Sequence, residues 1–276
     1  MTEQGSILDS SIRNAELFGR TARTYESVGP PFFTHFAEEV VQQAAVRRGS
    51  RVLDLATGTG AVLLAAAKRA GPEGRMVGVD LSAEMLDCTR DRLRQQGITN
   101  AVLVRMDAES LGFLDAAFDF VFCNFALEIL AGRIACLAGF RRVLRPEGLL
   151  GVVDAPGWFF QRDPRWIWME SLLLSFGALR ESELSPAPLS GLADDLKTAG
   201  FQDVVFHEVT FPLRFASADE FWAWVWSHGS RRLLERIPQA RLKELRHRLA
   251  AGLETCREVD RRIHGDLAAG LAVGRR

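Results

Sequence analysis

With 276 residues and a mass of 30.6 kDa, the chain can bury a sizeable core as one domain with elaborations, or as one domain and a small lid. Its 47% apolar and 25% charged residues are the balance of a soluble globular protein. The formal net charge of −1 supplies no global field to draw it to DNA, RNA or an anionic membrane, which argues against nucleic-acid and membrane partners.

Residues 1 to about 30 are polar and mixed, and end at the breaker Gly29-Pro30-Pro31. The stretch 32–46 then carries Phe33, Phe36, Val40 and Ala44 at spacings of three and four, which predicts a helix. From Arg51 the pattern alternates. Residues 52–55 read as a strand, 61–70 as a helix of small apolar residues, and 76–80 as a second strand. Ser82 is placed to cap a helix over 83–96. Further strands are expected at 101–106, 118–124 and 148–154, the last preceded by a helix over 133–144. Apolar strands alternating with helices predict an α/β fold with a mostly parallel central sheet and helices on both faces.

After Asp154 the rhythm breaks. Residues 156–190 are rich in Trp, Phe and Leu and read as an inserted helical segment. A helix over 189–199 is stopped by Gly200, and 201–213 alternates as one or two strands. Ser217-Ala218-Asp219-Glu220 fits a capping box opening the helix that carries Trp222, Trp224 and Trp226. From 231 to 264 the chain reads as helical and locally basic. The expected organisation is one integrated domain: an N-terminal helical lid segment over 1–50, a cofactor-binding core over 51–155, and over 156–276 a substrate-pocket insert, the last strands and C-terminal helices.

The segment RVLDLATGTGAVLLAAAKRAGPEGRMVGVDLS concentrates the chemistry. A turn between a strand and a helix N-terminus offers backbone amides and a positive dipole end. Here that turn is Ala56-Thr57-Gly58-Thr59-Gly60, in which Gly58 and Gly60 let a ligand approach the backbone. Asp80 ends the next strand, where a ribose-binding acid would stand. The turn alone suits a nicotinamide dinucleotide as well as S-adenosylmethionine, and a merely structural turn is a third reading.

Three features break the tie. The dinucleotide fingerprint wants a small residue three positions past its second glycine, and this chain has Leu63. Asp54 lies inside the first strand, where a carboxylate would repel a pyrophosphate yet favour a methionyl ammonium. Asp107 closes the third strand in Arg105-Met106-Asp107-Ala108-Glu109, where a side chain can accept from an adenine amino group. Together they favour S-adenosylmethionine, with S-adenosylhomocysteine as the product. Each acid keeps a structural alternative: Asp54 as a cap on the helix from Ala61, Asp80 as part of the cap at Ser82, Asp107 as an ordinary loop acid.

In order and spacing, VLDLATGTG, GVDLSAEML, MDAESLGFLDAAFDFV and FRRVLRPEGLL resemble the class I S-adenosylmethionine-dependent methyltransferases. The closest type is that of ubiquinone/menaquinone biosynthesis and its small-molecule relatives, over about 25–154. The resemblance implies a Rossmann-like class I methyltransferase fold and a set of roles. Asp54, Ala56, Gly58, Thr59 and Gly60 would cradle the methionine part of the cofactor. Asp80 would take both ribose hydroxyls, while Leu81 and Met85 flank the adenine. Asp107 would accept from the adenine amino group, and the Ala108 amide would reach a ring nitrogen. Asn124 and Phe125 would lie beside the sulfonium, and Tyr25, in RTARTYESVGPPF, falls in a segment that closes over the cofactor. Ala56 departs from the glycine the family often has, so a methyl group narrows the approach there.

The expected activity is methyl transfer to a small, largely apolar metabolite at oxygen, nitrogen or carbon, in keeping with natural-product, isoprenoid or polyketide biosynthesis. An activated methyl group needs positioning and exclusion of water, and a general base only for a weakly acidic acceptor. No residue declares itself as that base. Glu128 and Glu170 are carboxylate candidates, and His207 and His228 are imidazole candidates. Each histidine reads equally as a hydrogen-bonded core or surface residue. Trp158, Phe159, Trp166, Met169, Trp222 and Trp226 read as walls of an apolar substrate pocket or simply as core. Two rival functions stay open. One is a protein of this fold that binds the cofactor but steers a cyclisation or acts non-catalytically; the other, less favoured, is a nicotinamide-dependent oxidoreductase. Cys88, Cys123, Cys136 and Cys256 form no CxxC pair and no metal-site spacing, so no metal is expected. The polar start MTEQGS, with no apolar run reaching the ~18 residues of a membrane helix, points to the cytoplasm.

Overall fold

The computed structural model describes residues 3–155, 157–158, 161–184 and 187–276. Its frame is a seven-stranded sheet in the order β3-β2-β1-β4-β5-β7-β6. The strands are β1 (Arg51–Leu55), β2 (Arg75–Asp80), β3 (Ala101–Arg105), β4 (Phe118–Asn124), β5 (Leu144–Asp154), β6 (Gln202–Phe215) and β7 (Ile263–Arg275). The first five pair in parallel, and β7 runs antiparallel to both its neighbours.

Alternation along the strands assigns each side chain to one of two cores. Val52, Phe120, Phe122 and Val153 point to one face, where α2 (Phe32–Gln43) and α3 (Ala61–Ala70) pack. Leu53, Leu55, Val121, Cys123 and Val152 point to the other, closed by α5 (Arg133–Val143) and α7 (Gly191–Thr198). Helices therefore cover both faces, as the strand pattern predicts. α4 (Ala83–Gln95) lies along β2 and β3, and α1 (Glu3–Thr21) packs on α4. The first core continues into a helical layer of α6 (Trp168–Ser175), α8 (Ala218–Trp226), α9 (Arg231–Glu235) and α10 (Gln239–Glu254). Both predicted caps form: Ser82 Oγ accepts from the Met85 amide at 3.2 Å, and Ser217 Oγ from the Glu220 amide at 3.2 Å.

α1 occupies most of the polar opening, within the segment expected to be helical. One expectation needs correction. The run 231–264 is not one helical stretch. Pro238 separates α9 from α10, and His264 belongs to β7. The alternating run from Phe201, expected as one or two strands, is a single 14-residue strand, irregular only between Gln202 and Val205. β7 escapes a local reading because its sequence, IHGDLAAGLAVGR, holds small residues where a strand usually shows branched or aromatic ones. Burial between β5 and β6 makes it a strand. A Cβ at Gly265 would stand 1.9 Å from the Trp166 ring, so the larger partner brings the bulk at that contact.

Candidate functional site

The strand order reverses at β1 and β4, and the crevice outside their carboxyl ends is where open α/β sheets bind ligands. β1 leads into the turn 56–60, whose backbone is left-handed at Ala56 (φ 49°), Gly58 (φ 55°) and Gly60 (φ 85°). At Gly60 a Cβ would meet Thr89 Cγ2 at 2.7 Å, so glycine is required for packing. At Gly58 it would meet nothing nearer than the Ala56 carbonyl at 4.0 Å, which leaves this face of the turn free for a ligand. Thr89 Oγ1 donates to the Gly58 carbonyl at 2.6 Å and holds the turn.

Asp80 is gripped at both oxygens: Oδ2 accepts from the Gly58 amide at 2.9 Å and Oδ1 from the Ser82 amide at 2.9 Å. Burial raises its pKa, while these backbone donors oppose the shift. Asp54, only 1% exposed, accepts through Oδ2 from Thr57 Oγ1 at 2.6 Å and from the Leu63 amide at 3.1 Å. It thus ties the turn to the first turn of α3, and burial pushes its carboxyl up to about 7. A pyrophosphate at this turn would face two carboxyl groups and find the Gly58 amide already engaged.

A cleft opens over these acids at the carboxyl edge of the sheet. Ten of the sequence-predicted cofactor residues line it: Tyr25, Ala56, Gly58, Asp80, Leu81, Met85, Asp107, Ala108, Asn124 and Phe125. Asp54 and Thr59 line a smaller adjoining cavity, and Gly60 sits behind the turn against Thr89. Asn124 Oδ1 is buried with no hydrogen-bond partner among the described residues, an acceptor waiting for a donor at the cleft wall. This orphan acceptor and the open face of Gly58 fit a ligand with an ammonium group, as the methionyl end of S-adenosylmethionine has. Phe125, at φ 52°, holds a bulky side chain in the left-handed region beside them, the kind of strain that collects at functional sites.

Sequence reading expected a helical N-terminal lid but, before Tyr25, named no residue of the cleft's roof. Ser11, Asn14, Ala15 and Phe18 of α1 supply it, and their spacing of three, one and three is the signature of one helical face. The adjoining segment is anchored to the glycine turn. Glu26 Oε2 accepts from Thr59 Oγ1 at 2.6 Å and pairs with Arg92, and Oε1 accepts from Thr34 Oγ1 at 2.7 Å. Arg92 Nη1 also donates to the Thr59 carbonyl at 2.8 Å. Tyr25, the sole tyrosine, stacks on Phe33 with ring centroids 4.4 Å apart. Burial, then the nearby Glu26, Asp80 and Glu128, raise its phenol well above the ordinary range.

A second, smaller chamber abuts the cleft and shares Phe18, Tyr25, Phe125 and Ile129 with it. Its remaining walls are Phe33, Glu128, Gly157, Trp158, His228, Gly229, Ser230 and Arg232. Glu128 keeps its side chain open to this space. The surrounding walls and Asp154 push its pKa upward, against Arg232 and Arg133. The buried His228 ring is driven down to about 3 by desolvation. Its Nδ1 accepts from the Ser230 amide at 3.3 Å, which leaves the ring proton on Nε2.

The other candidates lie elsewhere. Glu170 is on α6 and His207 on the exposed edge of β6, and neither lines the cleft or the chamber. Trp158 lines the chamber. Trp166 is fully buried and donates from Nε1 to the His264 carbonyl at 3.0 Å. Met169 is buried in the same core, and Trp222 and Trp226 meet edge to face and pack against that core. These four lie outside both spaces. Phe159 lies outside the described residues.

Comparison with known proteins supplies the family. A methyltransferase domain family matches residues 52–148. The chain is 30% identical over 240 residues to nocamycin O-methyltransferase of Saccharothrix syringae, covering 78% of this chain and 81% of the relative. It is 42% identical over 114 residues to the ubiquinone/menaquinone biosynthesis C-methyltransferase UbiE of Cupriavidus taiwanensis, covering 41% of this chain and 46% of that relative, about half its length. A solved N-methyltransferase of Haemonchus contortus, complexed with phosphomonomethylethanolamine and S-adenosylhomocysteine, superposes with a TM-score of 0.53 at 16% identity. The match covers 88% of this chain and 52% of that one, and at this identity it bears on the fold alone. The sheet is accordingly the Rossmann-like class I methyltransferase fold. On the strength of a relative matched over four-fifths of its length, the chain belongs to the S-adenosylmethionine-dependent methyltransferases, enzymes here of the small-molecule kind.

Proposed function

We propose that the chain methylates a small, largely apolar, ring-containing metabolite in a biosynthetic pathway, with the acceptor seated in the aromatic chamber. The observation that supports this reading is the wall shared by the two spaces: Phe18, Tyr25, Phe125 and Ile129 face the cleft on one side and the chamber on the other. When bound, S-adenosylmethionine supplies a methyl group on a positively charged sulfur.

The chain's own part is binding, orientation and dryness. In this reading Asp80 accepts from the ribose hydroxyls, its carboxylate already aimed by the Gly58 and Ser82 amides. Leu81 and Met85 flank the adenine, and Asp107 and the Ala108 amide read its edge. Asn124 Oδ1 and Asp54 attend the ammonium end. Residues 1–50 act as the lid, held by the Glu26–Arg92–Thr59 cluster. Water is kept out by the phenyl groups of Phe18, Phe33 and Phe125 and by Trp158. Of the candidate bases, His228 is the wrong partner for a proton, because its acceptor nitrogen already receives the Ser230 amide. Glu128 is the chamber side chain able to take one from a weakly acidic acceptor.

Methyl incorporation from labelled S-adenosylmethionine into a fractionated metabolite extract tests the reading. Label is expected in a small, organic-extractable, ultraviolet-absorbing product. Label confined to protein or nucleic acid, or absent while S-adenosylhomocysteine still binds, would overturn it in favour of another acceptor class or of the non-transferring rival.

A further inference from the structure

Arg232 is a cation with no anion bonded to it among the described residues. It sits in α9 on the wall of the aromatic chamber, and its guanidinium has no hydrogen bond or ion pair among the described residues; its Nε is buried and unpartnered. The ring of Trp158 lies 5.8 Å from its Cζ. Most of the neighbouring arginines are spoken for: Arg236 pairs with Glu183 at 2.8 Å, Arg231 with Glu235 at 2.6 Å, and Arg133 with Asp154 at 2.6 Å. Glu128 opens onto the same chamber without reaching Arg232 in an ion pair. Burial lowers the pKa of this partly buried guanidinium, the charges of Glu128 and Glu183 oppose the shift only in part, and no hydrogen bond offsets the desolvation. A ligand that brings a negative charge relieves that cost.

We propose that Arg232 is the acceptor-recognising residue of the chamber, and that the acceptor is a flat, aromatic-sized compound bearing an ionised acidic oxygen, a carboxylate or an enolate. The proposal rests on the methyl-transfer reading and sharpens it to an oxygen acceptor. The aromatic walls take the flat apolar body, and the planar guanidinium fork takes the oxyanion. Across the wall of Phe18, Tyr25, Phe125 and Ile129 that the two spaces share, this charge would face the positive sulfur of a bound S-adenosylmethionine. Transfer to such an oxygen forms an O–C bond as the C–S bond breaks, cancels the two opposite charges and moves no proton. A chamber whose imidazole is held neutral, with its acceptor nitrogen turned to Ser230, agrees with a reaction that asks for no base. The methylated product has lost the charge that Arg232 held, so its release follows from the same contact.

Two acids and their own methyl derivatives are suitable probes: 2-naphthoate with methyl 2-naphthoate, and 2-hydroxy-1,4-naphthoquinone with its 2-methoxy ether. Each is titrated by calorimetry into the full chain saturated with S-adenosylhomocysteine. At least one anion is expected to bind about tenfold or more tightly than its neutral derivative, the effect of one charge-assisted contact, and which anion wins separates carboxylate from enolate. Arg232→Gln should abolish the preference without changing the affinity for S-adenosylhomocysteine, and Arg232→Lys should keep part of it. Equal binding of anions and neutral derivatives by the wild type, no binding of either anion, or a preference that survives Arg232→Gln would overturn the proposal. If S-adenosylhomocysteine itself fails to bind, the methyl-transfer reading falls first; if it binds and the preference is missing, only the role of Arg232 falls.

Discussion

Asp80 shows how much one carboxylate does here. Its two oxygens fix the Gly58 amide and the Ser82 amide, so it shapes both the glycine turn and the start of α4 while facing the cleft. Replacing it with Ala should weaken S-adenosylhomocysteine binding by about 1.5–3 kcal/mol, as loss of a charged acceptor does; unchanged affinity in a folded variant, measured calorimetrically, would remove Asp80 from the ribose site. Asp54 makes a different statement. Its carboxyl is pushed from 3.8 up to about 7 by burial, so the folded state holds the proton more tightly than the unfolded chain. Stability from this group is therefore full below pH ~4 and is lost as the pH rises toward 7. Asp54→Asn should flatten that part of the stability–pH curve in urea titrations. An identical slope in the variant would mean that Asp54 is ionised in the folded protein throughout. Sequence reading left Asp54 with two roles, cap and cofactor ligand, and its bond to the Leu63 amide realises the first without blocking the second.

The elements that sequence reading found best are those whose local chemistry and burial agree. β1, β2 and β4 are apolar runs buried on both faces, and α4 and α8 open on the serines predicted to cap them. β7 shows why agreement is needed. Nothing in an alanine- and glycine-rich stretch resists a helix or a loop, and only the gap between β5 and β6, with Trp166 over Gly265, decides the matter. Gly265→Ala should accordingly destabilise the protein by about 1–3 kcal/mol, an overpacking cost, seen as a lower urea midpoint; a neutral substitution would show that Trp166 can move aside. The cleft-lining residues of α1 went unnamed for a related reason: Ser11, Asn14, Ala15 and Phe18 face a cleft rather than a core. Most of the residues that line the cleft on the sheet side were legible because a strand, a turn and an acid recur in fixed order along the chain.

The aromatic chamber belongs to the molecule as a whole. Phe18 to Phe33 come from the N-terminal segment, Phe125 to Ile129 follow β4, Trp158 follows β5, and His228 to Arg232 join α8 to α9. No spacing links these four places, which is why the sequence offered six candidate wall residues after Gly157 and the described chamber uses one of them, Trp158. The same assembly sets a cleft edged by Asp80 and Asp107 beside a chamber that holds both Glu128 and Arg232. The N-terminal segment bridges them through Phe18 and Tyr25 and is tied down by Glu26 to Thr59 and Arg92. A crystal structure of the full chain grown with S-adenosylhomocysteine tests this arrangement most directly. The account predicts ribose hydroxyls on Asp80, adenine between Leu81 and Met85, and the sulfur directed past Phe125 into the chamber of Trp158 and Arg232. Adenosyl density with the sulfur turned away from that chamber, or a cleft left empty at saturating ligand, would contradict it.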